Sequence, residues 1–182
     1  MRAAEANILI IPGYLDSGPE HWQSRWEKKL STARRVVQRD FARPDRVEWV
    51  ETIRREILNS EKPAVLVAHS LGTIAALYAA QQLRERIAGA FLVAPPSETV
   101  LRELPGVDRA FLPIPRSPLP FPAVVVASGN DPYAEALFAR RLAEDIGAHF
   151  IDAGGAGHIN VDSGHGPWPE GSLAFAHFMA KL

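Results

Sequence analysis

Cysteine is missing from all 182 residues. Its absence excludes a disulfide framework, a thiolate nucleophile and a cysteine-ligated zinc site. Long apolar runs are missing too. The first, Ile8 to Ile11, stops at Pro12-Gly13, and Met1 to Asn7 carries one Arg and one Glu but no apolar stretch. The reading is therefore no signal peptide, no membrane segment and a cytoplasmic location. Nor is there an excess of one charge: 20 Lys and Arg face 21 Asp and Glu, a net charge of −1. Nucleic acid is not an expected partner. Neither G-x-x-x-x-G-K nor G-x-G-x-x-G occurs, which argues against a phosphate-cradling loop. No two of the six histidines have zincin spacing, so no metal site is expected.

What is present fits an ordinary soluble domain spanning 1–182, with 47% apolar and 23% charged residues. Short apolar runs recur at Ile8 to Ile11, Arg35 to Arg39, Ala64 to Ala68, Gly89 to Ala94, Ala123 to Ala127 and Ala148 to Ile151. Runs of this length suit strands buried on both faces of a parallel sheet. Amphipathic stretches lie between them. Val50, Ile53 and Ile57 recur at helical spacing behind an Asp45/Glu48 capping box, and Ser17 and Glu20 form a second candidate cap for a helix through Trp22 and Trp26. Leu137, Phe138, Leu142 and Ile146 mark another stripe, and Phe175, Phe178, Met179 and Leu182 the last. This alternation predicts an α/β fold with about six mostly parallel strands and helices on both faces. Residues 95–122 break the pattern with eight prolines. They read as a loop with one helical turn near Thr99 to Leu104, too short for a large cap domain.

The most informative stretch is Val65-Leu66-Val67-Ala68-His69-Ser70-Leu71-Gly72, which leads into a helical pattern. A strand that runs into a small-x-Ser-x-Gly turn and then a helix lifts the serine hydroxyl clear of the backbone. Ala68 stands where this motif usually has glycine. The competing reading of Ser70 is an ordinary helix cap. A serine nucleophile needs a base, and the base needs an orienting acid, in the chain order Ser, acid, His. Asp131, directly after the fifth run, is the preferred acid, ahead of Asp145 and Asp152. His158, in the Gly-rich loop after the last run, is the preferred base, ahead of His165. His21, His149 and His177 read as structural or exposed. Backbone N–H groups of Leu71 and Tyr14 are the candidate oxyanion donors. Tyr14, His69 and Trp168 are candidate substrate contacts, with Leu112 and Ile114 as further pocket candidates and Trp22 divided between pocket and core.

Five tracts together resemble a known family: Ile10-Ile11-Pro12-Gly13-Tyr14, Glu20-His21-Trp22-Gln23, Ala68-His69-Ser70-Leu71-Gly72, Gly129-Asn130-Asp131-Pro132-Tyr133 and Gly157-His158-Ile159-Asn160. They look like the small serine hydrolases related to retinoblastoma-binding protein nine and the bacterial YdeN proteins, collinearly over nearly the whole chain. The resemblance implies a compact α/β-hydrolase fold lacking the first two strands of larger relatives. It also implies a Ser70-Asp131-His158 triad, esterase-like or related acyl hydrolase activity, a small-molecule acyl substrate and no cofactor. The rivals are an interaction module with an idle triad, and an acyltransferase or peptidase on the same residues. The sequence gives no indication of a protein partner.

Overall fold

The alternation of apolar and amphipathic stretches builds a three-layer sandwich, seen in a computed structural model that describes Met1–Leu182. One sheet holds β1 (Asn7–Ile11), β2 (Ala33–Arg35), β3 (Ala64–His69), β4 (Ile87–Val93), β5 (Ala123–Ala127) and β6 (His149–Asp152). The helices are α1 (Trp22–Lys29), α2 (Arg46–Leu58), α3 (Leu71–Ala80), α4 (Glu98–Glu103), α5 (Ala136–Ile146) and α6 (Pro169–Lys181). All neighbouring strands are parallel, in the order β2-β1-β3-β4-β5-β6. No helix is long and apolar enough to cross a membrane.

Strand residues alternate between two apolar layers, which is why the runs are apolar at every position. Leu9, Ile11, Leu66, Ala68, Leu92 and Val125 face α2, α3 and α5. Ile8, Ile10, Val65, Val67, Phe91 and Val93 face α1 and α6, whose Trp22, Trp26, Phe175 and Phe178 fill that layer. Phe91 is fully buried on β4, with its ring 5.5 Å from Phe175, 6.0 Å from Phe178 and 6.2 Å from Trp26.

Several elements depart from expectation. β2 is three residues long and begins earlier than Arg35; the chain leaves the sheet at Val36, which is buried, and Val37 is exposed. Main-chain pairing to β1 defines this edge strand, and its arginines leave no apolar signature. The cap of α1 is His21, whose Nδ1 accepts the Gln23 N–H, not Ser17. Asp45 caps α2 through the Glu48 N–H, but the Glu48 carboxylate turns to Arg39, so the box is half formed. On α5 Leu137 is exposed, and the buried stripe is Ala139, Leu142, Ala143 and Ile146. Within 95–122, Leu101, Val107, Phe111, Ile114 and Phe121 are buried in the core, and Leu112 packs against it. The segment is tied down by the Tyr78 hydroxyl donating to the Pro113 carbonyl and the Arg46 N–H to Asp108.

The topology also locates a site. The chain runs from β1 outward to β2 and then returns to place β3 on the other side of β1. In open parallel sheets, ligands bind in the crevice that such a reversal opens beyond the strands' carboxyl ends. Here that crevice lies between the loop after β1 and the turn after β3.

Truncating Phe91 removes the centre of the α1/α6 layer. Phe91→Ala is expected to lower the unfolding free energy by about 3–5 kcal/mol. Leu173→Ala, at a side chain 62% exposed, should change it by no more than about 0.5 kcal/mol. Urea denaturation of the two variants measures both.

Candidate active site

Ser70 sits between β3 and α3 with φ 53° and ψ −130°, a conformation L-residues rarely adopt. Its neighbours enforce that conformation. A Cβ on Gly72 would lie 2.4 Å from the Pro12 carbonyl oxygen, so the start of α3 touches the end of β1 directly. A Cβ on Gly13 would lie 2.8 Å from the Ser70 Cβ. Ala68, where glycine was the expected residue, is fully buried in the core cluster with α2 and α3, so its methyl is accommodated. The close approaches fall on Gly72 and Gly13 instead. The Ser70 N–H donates to the Val93 carbonyl at 3.0 Å, which ties the turn to β4. Gln23 bridges β1 and β3: its side-chain N–H groups donate to the Ile11 and Val67 carbonyls, each at 3.1 Å.

Ser70, His158 and Asp131, far apart in sequence, meet at hydrogen-bond distance. His158 Nε2 lies 2.9 Å from Ser70 Oγ, and His158 Nδ1 lies 2.9 and 3.0 Å from the two Asp131 oxygens. A carboxylate only accepts, so the proton sits on Nδ1 and the Nε2 lone pair faces the Ser70 hydroxyl. The His158 and Asp131 side chains are 9% and 2% exposed. The Tyr133 N–H donates to Asp131, and the Tyr133 ring lies 4.4 Å from the His158 ring.

The loop carrying His158 is fixed at several points. Trp22 Nε1–H donates to the Ile159 carbonyl at 2.9 Å, and His69 Nε2 lies 2.9 Å from the His158 carbonyl. The Gly157 N–H donates to Asn130 Oδ1, and the Ala156 N–H to Ser128 Oγ. One loop thus holds the next, and both follow strands of the same sheet.

A cleft of about 340 Å³ opens over Ser70. Tyr14, His69, Leu71 and His158 line it, together with His21, which the sequence reading placed outside the site. Leu15, Leu104, Tyr133, Val161, Asp16 and Asp162 complete much of the wall, which contains no Lys or Arg. Behind it, Arg35 pairs with Asp16 and Glu27. Leu71 begins α3 and Tyr14 lies outside every helix and strand, and neither backbone N–H donates within the protein's turns and loops.

The sequence matches the serine hydrolase family over residues 8–177. The chain belongs to that family. A YdeN-like hydrolase of Pectobacterium atrosepticum superposes with a TM-score of 0.86 at 36% identity, covering 97% of this chain and 91% of the other. The ydeN gene product of B. subtilis gives 0.79 at 23% identity, covering 95% and 98%. The esterase domain of a Rhodothermus marinus protein gives 0.73 at 16% identity, covering 96% and 87%, a likeness of fold. A search of curated proteins finds no match.

Within this serine hydrolase, some expected positions move. Trp168 is not a cleft residue: it is buried, stacked on Trp26 with an 11° interplanar angle and edge-on to Trp22. Trp22 is likewise core. Leu112 and Ile114 pack inward; Pro96 and Leu104 are the cleft residues of that segment. His165 bonds with Ser163 and does not approach Ser70. Of the two readings of His21, structural or exposed, the structure shows a buried side chain, and it also lines the cleft; its ring lies 4.9 Å from that of His69, which lies 4.9 Å from that of His158.

Burial, reinforced by the nearby positive charge of Arg35, lowers the His21 pKa to about 4. Burial, with His158 and His21 adjacent, holds His69 well below 6.5. Both histidines are therefore neutral in the folded protein at pH 7. A histidine with a depressed folded pKa contributes full stability above its unfolded value, near 6.5, and loses it as pH falls toward the folded value. For His21 this amounts to about 3 kcal/mol between pH 6.5 and 4. The melting temperature should fall across that window, and His21→Asn should make the fall shallower in scanning calorimetry.

Proposed function

We propose that this hydrolase cleaves a small or medium carboxylic ester, with thioesters and amides as chemically related substrates, through an acyl-enzyme on Ser70. The observation that carries the reading is the 2.9 Å approach of His158 Nε2 to Ser70 Oγ, with Asp131 on the opposite ring nitrogen. A free serine hydroxyl is a weak nucleophile, and an adjacent imidazole lone pair removes that limitation.

In the first step Ser70 Oγ attacks the acyl carbon while its proton passes to His158 Nε2. Asp131, accepting from Nδ1–H, stabilises the imidazolium that forms. The carbonyl oxygen becomes an oxyanion, held by the N–H groups of Leu71 and Tyr14. Leu71 starts α3, whose N-terminal dipole favours that charge. The tetrahedral intermediate collapses, the C–O bond to the alcohol breaks, and His158 returns its proton to the leaving oxygen. Water then enters, gives a proton to His158 and attacks the acyl carbon. The second collapse releases the carboxylic acid and restores Ser70. Every proton moves through one imidazole, so no cofactor is required by this sequence of steps.

A fluorophosphonate probe followed by peptide mass mapping is expected to label Ser70 and to leave Ser70→Ala unlabelled. Hydrolysis of p-nitrophenyl acetate should drop by about a thousandfold or more in His158→Ala, while His165→Ala keeps its rate. No labelling of folded protein, or full activity in His158→Ala, would overturn the mechanism.

A further inference from the structure

The cleft contains a pair of buried imidazoles that the mechanism above does not use. His21 and His69 are each 5% exposed, and both residues line the cleft. Their protein contacts fix complementary tautomers. His21 Nδ1 accepts the Gln23 backbone N–H, so its proton lies on Nε2, which has no partner in the protein. His69 Nε2 faces the His158 carbonyl, which only accepts, so that nitrogen carries the proton. His69 Nδ1 is then a bare lone pair, also without a partner. One unpaired donor and one unpaired acceptor therefore stand on rings whose centroids are 4.9 Å apart.

Neither open nitrogen is sealed in the core, so a group bound in the cleft can reach both and supply the hydrogen bonds that polar groups keep when they are shut off from water. A group that accepts one hydrogen bond and donates another satisfies both, and a hydroxyl is the smallest organic group that does so. A carboxylate offers no donor to the His69 lone pair, and an ammonium offers no acceptor to His21 N–H. The rest of the wall argues in the same direction. Asp16 and Asp162 line it and no Lys or Arg does, and the nearby Arg35 is already paired with Asp16 and Glu27, so an anionic substituent finds no free counter-charge there.

We propose that His21 and His69 form a hydroxyl-recognition site, so that the substrate is a small uncharged ester bearing a hydroxyl group on its acyl or alcohol part. This rests on the serine hydrolase mechanism and adds the substrate class. His21 is then a specificity residue: its Nε2–H donates to the hydroxyl oxygen, and the hydroxyl proton goes to His69 Nδ1. The low pKa of both imidazoles keeps them in the donor–acceptor arrangement through the neutral range.

The test compares esters in pairs that exchange hydroxyl for methyl. Suitable pairs are p-nitrophenyl lactate against isobutyrate, p-nitrophenyl β-hydroxybutyrate against isovalerate, and ethylene glycol monobutyrate against propyl butyrate. Each kcat/KM ratio is divided by the ratio of alkaline hydrolysis rates, which removes intrinsic reactivity. Wild type is expected to favour the hydroxyl member of at least one pair by about tenfold or more. In His21→Asn and His21→Ser, both of which keep a helix-capping acceptor, that ratio should collapse toward the chemical one. A general loss of activity cancels in the ratio, and circular dichroism checks the fold. The proposal is overturned if wild type favours no hydroxyl ester, a result that needs no variant, or if the preference survives in both variants. Should no ester turn over faster than with Ser70→Ala, the hydrolase mechanism itself fails and the hydroxyl site falls with it.

Discussion

The site depends on one backbone contact. The end of β1 and the start of α3 meet at Pro12 and Gly72 with no room for a side chain between them. That contact pulls the helix against the sheet and forces Ser70 into a positive-φ turn. The turn raises the hydroxyl into the crevice between β1 and β3. The same contact sets the Leu71 N–H beside the loop that carries Tyr14, since a Cβ on Gly13 would lie 3.2 Å from the Leu71 nitrogen. The Ser70 hydroxyl and the Leu71 N–H are thus positioned by a single packing constraint, and Gln23 reinforces it by bridging β1 and β3.

A second layer of contacts holds the imidazole. Side chains from α1 and β3 reach the His158 loop: Trp22 holds the Ile159 carbonyl, and His69 the His158 carbonyl. The ordered loop is therefore anchored to the core rather than standing free in solvent. The strained Ser70 backbone persists because the surrounding structure over-determines it. The buried neutral histidines impose a further constraint: they restrict full stability to pH above their ordinary titration range.

The central strands were legible because residues buried on both faces leave continuous apolar runs, and strand-turn-helix placement singled out Ser70 without any tertiary information. Asp131 and His158 followed from chain order and from strands that end just before them. β2 was misplaced because an edge strand is made by main-chain pairing, and Arg34 and Arg35 give no apolar signal. The place of His21 in the cleft wall was not legible because it comes from tertiary packing. The available clue was a run of polar residues, His21, Gln23 and Ser24, set among Trp22 and Trp26 on a buried helix. Trp168 was misassigned for the converse reason: an aromatic near the His loop fits pocket and core equally well until the helix behind it is placed. It lies flat on Gly171, where an added Cβ would come within 2.2 Å of its ring.

The claim that packing holds Ser70 in a conformation disfavoured for L-residues is tested most directly by comparing the unfolding free energies of Ser70→Gly and Ser70→Ala. Glycine ordinarily destabilises relative to alanine because it has more freedom to lose. At φ 53° and ψ −130° the order should reverse, with the glycine variant more stable by about 1 kcal/mol or more. An alanine variant as stable as glycine, or more so, would contradict the account, because Ser70 would then not be strained.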